Sequence, residues 1–160
     1  AVEDFQRGFA FWKLLIDGHA GPKTQEALKA SVDQGGKCSP NFAFKEFASS
    51  GNGWIKVSRE LVLGLEDYRE LVGKSVEVVS GYRDPEKNAS VPGAAKNSQH
   101  MYGNACDLDP VKPTAAVKAL RRFSGIGYQG ASGLVRHVDV RHVGPNTTKS
   151  SVRDPAIWIY

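Results

Sequence analysis

The segment NSQHMYGNACDLD, residues 97–109, constrains the fold more than any other part of the sequence. It places His100 in a polar stretch and Asp107 in a short run typical of a strand, with Gly103 and Ala105 between them. Small residues at these positions let a loop histidine fold back beside a strand carboxylate. The sequence therefore favours a fold in which this loop returns to the start of the strand.

Length and composition indicate a globular chain. It has 160 residues, of which 41% are hydrophobic and 24% are charged, and no apolar run approaches the roughly 20 residues of a membrane helix. We expect a monomer without membrane insertion. The net charge of +4 suits an anionic partner, but the basic residues are dispersed and form no stripe with aromatic residues, which argues against nucleic acid.

Hydrophobic periodicity predicts an α+β fold, with a small antiparallel sheet and flanking helices, preceded by a short helical hairpin. In the hairpin, residues 1–37, helical spacing runs from Val2 to Leu15, and Thr24 can cap a second helix. The Gly-rich stretch from Asp33 to Asn41 is the candidate linker to the main domain, residues 38–160.

The main domain is predicted to alternate helices, strands and one long loop. The predicted elements are a short helical turn within 42–50, a helix over 57–73 capped by Ser58, a strand over 75–84, an irregular loop from Asp84 to Gln99, a strand over 103–109, a helix over 114–123 and a strand over 133–143. A loop of this length inside a compact domain is usually functional or disordered.

Alternation along the last predicted strand groups its polar residues. Side chains two residues apart share a face of a strand. His137, Asp139 and Arg141 therefore lie on one side, while the intervening valines can enter the core.

The same alternation argues against cysteine chemistry. It places Asp107 with Ala105 on one face of the earlier strand and Cys106 on the other. A reactive Cys106 beside Asp107 is therefore disfavoured. We expect Cys38 and Cys106 to be free thiols rather than a disulfide.

Two histidines and one aspartate supply the donor set of a zinc site that keeps one position open: His100, Asp107 and His137. With one carboxylate and two neutral imidazoles around Zn²⁺, the site has a net charge of +1. This charge lowers the pKa of a zinc-bound water and polarises a peptide carbonyl. From the residues alone, a structural polar cluster and a Cys/His nucleophile stay open as alternatives.

Several motifs carry a resemblance to a known family. SQHMYGNACDL fits the Ser-x-His-x-x-Gly-x-Ala-x-Asp pattern of the zinc D-alanyl-D-alanine carboxypeptidase family, whose fold group includes vancomycin-resistance dipeptidases, phage endolysins and hedgehog signalling domains. SGYRDPEKN resembles the family's arginine segment, and VRHVDVRHV resembles its late His-Val strand. IDGHAGPKTQEAL is similar to part of a peptidoglycan-binding module.

The resemblance implies three zinc ligands: His100, Asp107 and His137. It also implies that Arg83 holds a substrate carboxylate, a role that suits a guanidinium because it binds carboxylates through two parallel hydrogen bonds. The alternative for Arg83 is an ion pair with Asp84 or Glu86. Ser98 is expected to bind substrate or to orient a ligand histidine.

The general base departs from the family pattern. Many relatives carry an ionisable residue two or three positions before the last ligand, where this chain has Val135 and Leu134. Asp139 is the nearest ionisable group on the ligand face, and we predict that it moves the proton. The reversed assignment, with His137 as base and Asp139 as ligand, stays open.

These expectations predict a Zn²⁺-dependent peptidase, either a carboxypeptidase or an endopeptidase, that cuts the stem peptides of peptidoglycan. It would act in the cell wall or periplasm, as a bacterial enzyme or a phage lysin. The alternative is a non-catalytic zinc domain used for wall binding or signalling.

Overall fold

The computed structural model describes residues 1–142 and 150–159. Its helices are α1 (Val2–Gly8), α2 (Pro22–Asp33), α3 (Arg59–Val72), α4 (Pro85–Ser90) and α5 (Thr114–Ala119), with short 3-10 helices at Phe44–Phe47, Gln99–Tyr102 and Gly130–Ser132. Its strands are β1 (Glu77–Ser80), β2 (Ala105–Pro113), β3 (Gly125–Gln129), β4 (Leu134–Asp139) and β5 (Ala156–Ile159). The predicted α+β class is confirmed.

The strands form one sheet in the order β1-β2-β4-β3-β5. All neighbouring pairs are antiparallel except β3 and β5, which run parallel at one edge. Across the central pair, Asp107 of β2 lies directly opposite His137 of β4. The sheet therefore brings together two of the residues that the sequence singled out.

Helix α3 covers one face of the sheet, and its packing fixes which side chains face the core. The Ser58 hydroxyl caps the helix by accepting the Leu61 N–H at 3.4 Å. Leu65 and Tyr68 are fully buried, in the same apolar cluster as Cys106. Because side chains alternate along a strand, the neighbours of Cys106 point to the opposite face.

The first helix is shorter than its apolar spacing predicts. α1 ends at Gly8 instead of continuing to Leu15. The Ala10 N–H donates to the Cys38 carbonyl at 2.7 Å, so the chain leaves the helix for a tertiary contact. Phe9 is buried and its ring meets Trp12 edge-on at 4.7 Å. The periodic apolar residues therefore build an aromatic cluster rather than one face of a longer helix.

The predicted cap of the second helix is wrong. Gly21 occupies the N-cap and Pro22 begins α2, since proline needs no N–H partner in the first turn. Thr24 lies inside that turn, where its hydroxyl accepts a hydrogen bond from Gln6 at 3.1 Å. Gln6 also accepts the Gly18 N–H at 2.9 Å and so joins α1 to the turn before α2.

The boundary of the predicted hairpin stays a prediction, although contacts cross it. Lys37 forms an isolated bridge with Ala43, and the ring of Phe44 lies 5.3 Å from that of Phe5. The first 37 residues thus pack on the following domain.

Three other predictions are corrected. The segment 84–99 is not wholly irregular, because the Asp84 carboxylate accepts the Lys87 N–H at 2.9 Å and caps α4. α5 ends at Ala119 rather than 123, and Arg121 follows with a φ of 52°. β3 and β5 were not predicted at all, because one is rich in glycine and the other is a four-residue edge strand.

Within residues 1–142 and 150–159, no helix has both the length and the apolar character required to span a membrane.

Candidate metal centre

Three buried side chains converge where β2 meets β4. Asp107 and His137 come from the paired strands, and His100 comes from the 3-10 helix Gln99–Tyr102. Each offers one possible ligand atom, and these atoms all lie within 4.8 Å of one another. The structure therefore groups the three residues as predicted and makes a metal site geometrically feasible.

His100 presents its Nε2 atom to the group. Its other ring nitrogen, Nδ1, lies 2.7 Å from the Gly81 carbonyl oxygen. A carbonyl only accepts, so Nδ1 carries the hydrogen and Nε2 keeps a free lone pair. Burial lowers the pKa of His100 and outweighs the hydrogen bond that only a protonated Nε2 would donate to Asp107. A neutral imidazole is the form that a metal requires.

Gly81 permits this contact because the backbone passes very close to another segment. A Cβ atom at this position would lie 2.6 Å from the Cα atom of Phe47. Any larger residue would push the carbonyl that orients His100 out of place.

The two oxygens of Asp107 have different partners. Oδ1 lies 3.0 Å from His137 Nδ1 and 3.4 Å from His100 Nε2. Oδ2 accepts a hydrogen bond from the Arg83 guanidinium. Burial raises the pKa of Asp107, but hydrogen bonds with the two histidines outweigh it and hold the pKa well below the ordinary value. The group is therefore an ionised carboxylate.

His137 lies between two carboxylates. Its Nδ1 faces Asp107, and its Nε2 lies 3.1 Å from Oδ2 of Asp139. Burial lowers the pKa of His137, but the hydrogen bonds with both carboxylates raise it above the ordinary value. His137 aims Nδ1 at the other two side chains, where a bound metal would replace its proton, and this geometry favours His137 over Asp139 as the third ligand.

Asp139 is fully buried, and both of its oxygens are engaged. They accept hydrogen bonds from the Arg141 side chain, at 2.9 Å from Nε and 2.6 Å from Nη2. Burial raises the pKa of Asp139, but the bonds with Arg141 and His137 lower it to about 2. A carboxylate bonded to the second nitrogen of a ligand histidine orients that ligand. These contacts suit an orienting role, and the role of Asp139 as general base stays a prediction.

Arg83 is buried beside the ligand set. Its Nε donates to the Ser80 hydroxyl at 3.0 Å, and Nη2 donates to Asp107. Its acidic partner is therefore Asp107, and not Asp84 or Glu86 as the alternative interpretation proposed. Asp84 instead accepts the Ser49 hydroxyl and caps α4.

A cleft of about 630 Å³ adjoins the three side chains. Most of residues 91–99 line it, including Ser98, the candidate substrate contact. Besides His100 and His137, the lining residues from other parts of the chain are Arg83, Asp139, Arg141, Trp158 and Ile159. Trp158 and Ile159 belong to β5, so the unpredicted edge strand contributes to the site.

Two glycines of β3 create the space for Asp139 and His137. Gly125 lies opposite Asp139 and Gly127 lies opposite His137. A Cβ atom at 125 would collide with the Asp139 carboxylate, and one at 127 would lie 3.1 Å from the His137 Cβ and 3.2 Å from Trp158. The Gly-Ile-Gly alternation was the available sequence signal, since strand glycines often mark close approach.

We expect Gly125→Ala to destabilise the fold by about 1–3 kcal/mol, the usual cost of overpacking. The displaced Asp139 should also weaken zinc binding. Urea denaturation and zinc titration measure the two effects. Gly21→Ala is the control for zinc affinity, because a Cβ atom there meets nothing within 4 Å. Wild-type stability and zinc affinity in Gly125→Ala would contradict the conclusion that Gly125 provides the space for Asp139.

The chain is similar to a known protein family and to a curated enzyme. The family model for peptidase M15 matches residues 38–144. The zinc D-Ala-D-Ala carboxypeptidase of Streptomyces albus G is 34% identical over 120 residues, which are 68% of this chain and 45% of that protein. The chain thus spans less than half of the length of this curated relative.

Proposed function

Because the chain belongs to the peptidase M15 family, we propose that it is a zinc-dependent peptidase that hydrolyses a peptide bond in the stem peptides of bacterial peptidoglycan. The convergence of His100, Asp107 and His137 carries this proposal. The name of the similar Streptomyces protein, a zinc D-Ala-D-Ala carboxypeptidase, supports both the metal and the substrate class.

The donor set fits zinc. Two imidazole nitrogens and one carboxylate oxygen, with room for a further ligand, are typical of catalytic zinc sites. The Gly81 carbonyl and Asp139 hold the outer nitrogens of the two histidines, as second partners do in such sites. When bound, zinc supplies Lewis-acid chemistry at the scissile carbonyl and lowers the pKa of a water.

The surrounding residues would bind and orient the peptide. Arg83 lines the cleft beside Asp107, where its charge would attract a substrate carboxylate. The Ser98 hydroxyl would bind the peptide backbone or orient His100 in the same cleft. Asp139 would take the proton in the base role, or hold His137 in the orienting role.

Replacing Arg83 with alanine is expected to lower kcat/KM by the equivalent of about 2–5 kcal/mol, the scale for losing one partner of a desolvated charge pair. Steady-state kinetics and zinc content measure the effect. Zinc should stay bound, since no ligand is removed. Arg136→Ala is the control, because Arg136 pairs with the exposed Asp109 at 3.5 Å. Wild-type kinetics in Arg83→Ala would assign Arg83 a purely structural role.

Mass spectrometry of peptidoglycan fragments tests the activity and its finer type. We expect the zinc-loaded protein to shorten the stem peptides and a chelator to prevent it. Release of a single terminal amino acid identifies a carboxypeptidase, whereas cleavage inside the peptide or cross-link identifies an endopeptidase. Intact stem peptides after incubation with the zinc-loaded protein would contradict the proposal.

An enzyme with this substrate would work in the cell wall or periplasm.

The proposed organisation has a hairpin, residues 1–37, packed on a peptidase domain, residues 38–160. The contact between Phe5 and Phe44 supports a hairpin that is docked on the domain. Its similarity to part of a peptidoglycan-binding module supports a wall-facing role.

A second candidate is a non-catalytic zinc domain that binds the wall. The complete burial of Asp139 favours it, because both oxygens of this carboxylate already have partners. Zinc binding and retention on purified peptidoglycan, without any hydrolysis, would support this candidate.

A further inference from the structure

We infer that Arg141 binds a carboxylate of the substrate peptide, in a subsite formed with Trp158. The inference rests on the proposed peptidase function and names a group that its substrate must carry. Arg141 and Trp158 line the same cleft as His100 and His137. The subsite is therefore open to a peptide that reaches the metal centre.

The Arg141 guanidinium is held in place on two sides. Nε and Nη2 both donate to Asp139, and the central carbon lies 4.6 Å from the centroid of the Trp158 ring. The Arg141 backbone N–H also donates to Asp139, at 3.0 Å. A side chain that is already fixed loses little entropy when it binds a ligand.

The third nitrogen of Arg141, Nη1, could bind a ligand, as far as residues 1–142 and 150–159 show. Among residues 1–142 and 150–159, Nη1 of Arg141 has no hydrogen-bond acceptor, whereas Nε and Nη2 are both occupied. The Arg141 side chain retains 20% of its exposure, compared with 9% for Arg83. Arg141 is therefore the more accessible of the two guanidinium groups.

Charge in the cleft favours an anionic group. A chain of contacts runs from Arg83 through Asp107, His137 and Asp139 to Arg141, so each arginine is balanced by one carboxylate. A divalent cation at the centre adds positive charge that these pairs do not cancel. Asp139 is the only acidic residue among the described residues that line the cleft. A carboxylate is thus favoured over an amide or an amine.

The two arginines would have separate tasks. Arg83 contacts Asp107, where it would attract a substrate carboxylate close to the metal centre. Arg141 contacts the carboxylate behind His137 and would hold a more distant part of the peptide. That part is the terminal carboxylate of the leaving residue or the side-chain carboxylate of a residue next to the cut.

Matched substrates test the subsite. Two stem peptides would differ only in a terminal carboxylate or carboxamide, and a second pair would differ only in an acidic or amide side chain beside the cut. We expect the wild type to prefer one acid over its amide by about 10- to 100-fold in kcat/KM, the scale of a hydrogen bond to a charged group. The pair whose preference is lost in Arg141→Gln identifies the source of the carboxylate that Arg141 binds.

Arg141→Gln should bring the ratio of kcat/KM for the acid to that for the amide substrate close to one, because the glutamine side chain can still donate to Asp139 but carries no charge. If Arg141 had a purely structural role, the variant would lower kcat/KM equally for the acid and the amide substrate. An unchanged ratio would therefore overturn the inference. Arg136→Gln, which removes a charge from β4, should keep the wild-type ratio. If Arg141→Gln fails to fold, Trp158→Leu removes the stacking surface while retaining the Asp139 contact, and it should also reduce the preference.

A binding measurement separates this inference from the proposed activity. Calorimetry on the zinc-loaded protein compares two pairs of ligands. The terminal pair is N-acetyl-D-alanine and N-acetyl-D-alaninamide. The side-chain pair is N-acetyl-D-glutamate α-amide and N-acetyl-D-glutamine α-amide. If no peptide is hydrolysed, the peptidase proposal fails, yet an acid preference that Arg141→Gln abolishes still supports the subsite. Equal binding of acid and amide in both pairs, or acid preferences that Arg141→Gln leaves unchanged in both pairs, overturns it.

Discussion

Replacing His137 with alanine is expected to abolish zinc binding and hydrolysis together. The substitution removes the nitrogen that lies 3.0 Å from Asp107 Oδ1 and leaves two of the three proposed ligands. A site with two ligands holds zinc far more weakly than one with three. Zinc content per protein, measured after dialysis, and hydrolysis of stem peptides both report the loss.

The control for His137→Ala is His142→Ala. His142 bonds to the Ser124 hydroxyl and is not part of the ligand group. This variant should retain zinc. Full zinc occupancy in His137→Ala would remove His137 from the ligand set and favour the reversed assignment, in which Asp139 is the ligand.

Replacing Asp139 with asparagine is expected to lower turnover by about 10²- to 10⁴-fold if Asp139 is the general base. The amide keeps the size of the side chain but cannot take a proton, so zinc should stay bound. In the orienting role, zinc affinity itself should fall by about 10- to 100-fold, and excess zinc should restore activity. Turnover measured as a function of zinc concentration distinguishes the two roles.

Asp109→Asn on β2 is the control, because Asp109 pairs with Arg136 outside the cleft. Circular dichroism checks that each variant folds. Full turnover and wild-type zinc affinity in Asp139→Asn would contradict both roles. Loss of zinc that no excess restores would instead support the reversed assignment.

The predictable part of the site comes from short-range rules. Alternation along β4 placed His137 and Asp139 on one face, and the structure confirms this with a direct contact between them. The same rule assigned Cys106 to the core, where it is buried and burial raises its pKa. These rules work because a strand imposes the face of each side chain whatever its partners are.

The unpredicted part depends on pairing between distant segments. β3 carries glycines because Asp139, His137 and Trp158 need the space, and that need appears only once the strands are aligned. Trp158 reaches the site through a parallel pairing of β5 with β3. Local periodicity contains no information about such pairings, so it predicted neither strand.

The glycines of β3 also limit how the protein could be made more heat-resistant. A strand gains stability from β-branched residues, and a consensus design would place valine or isoleucine at positions such as Gly125 and Gly127. Here those substitutions would fill the volume reserved for Asp139 and Trp158. The strand beside the metal centre is therefore intrinsically weak, and thermostabilising substitutions have to be sought away from it.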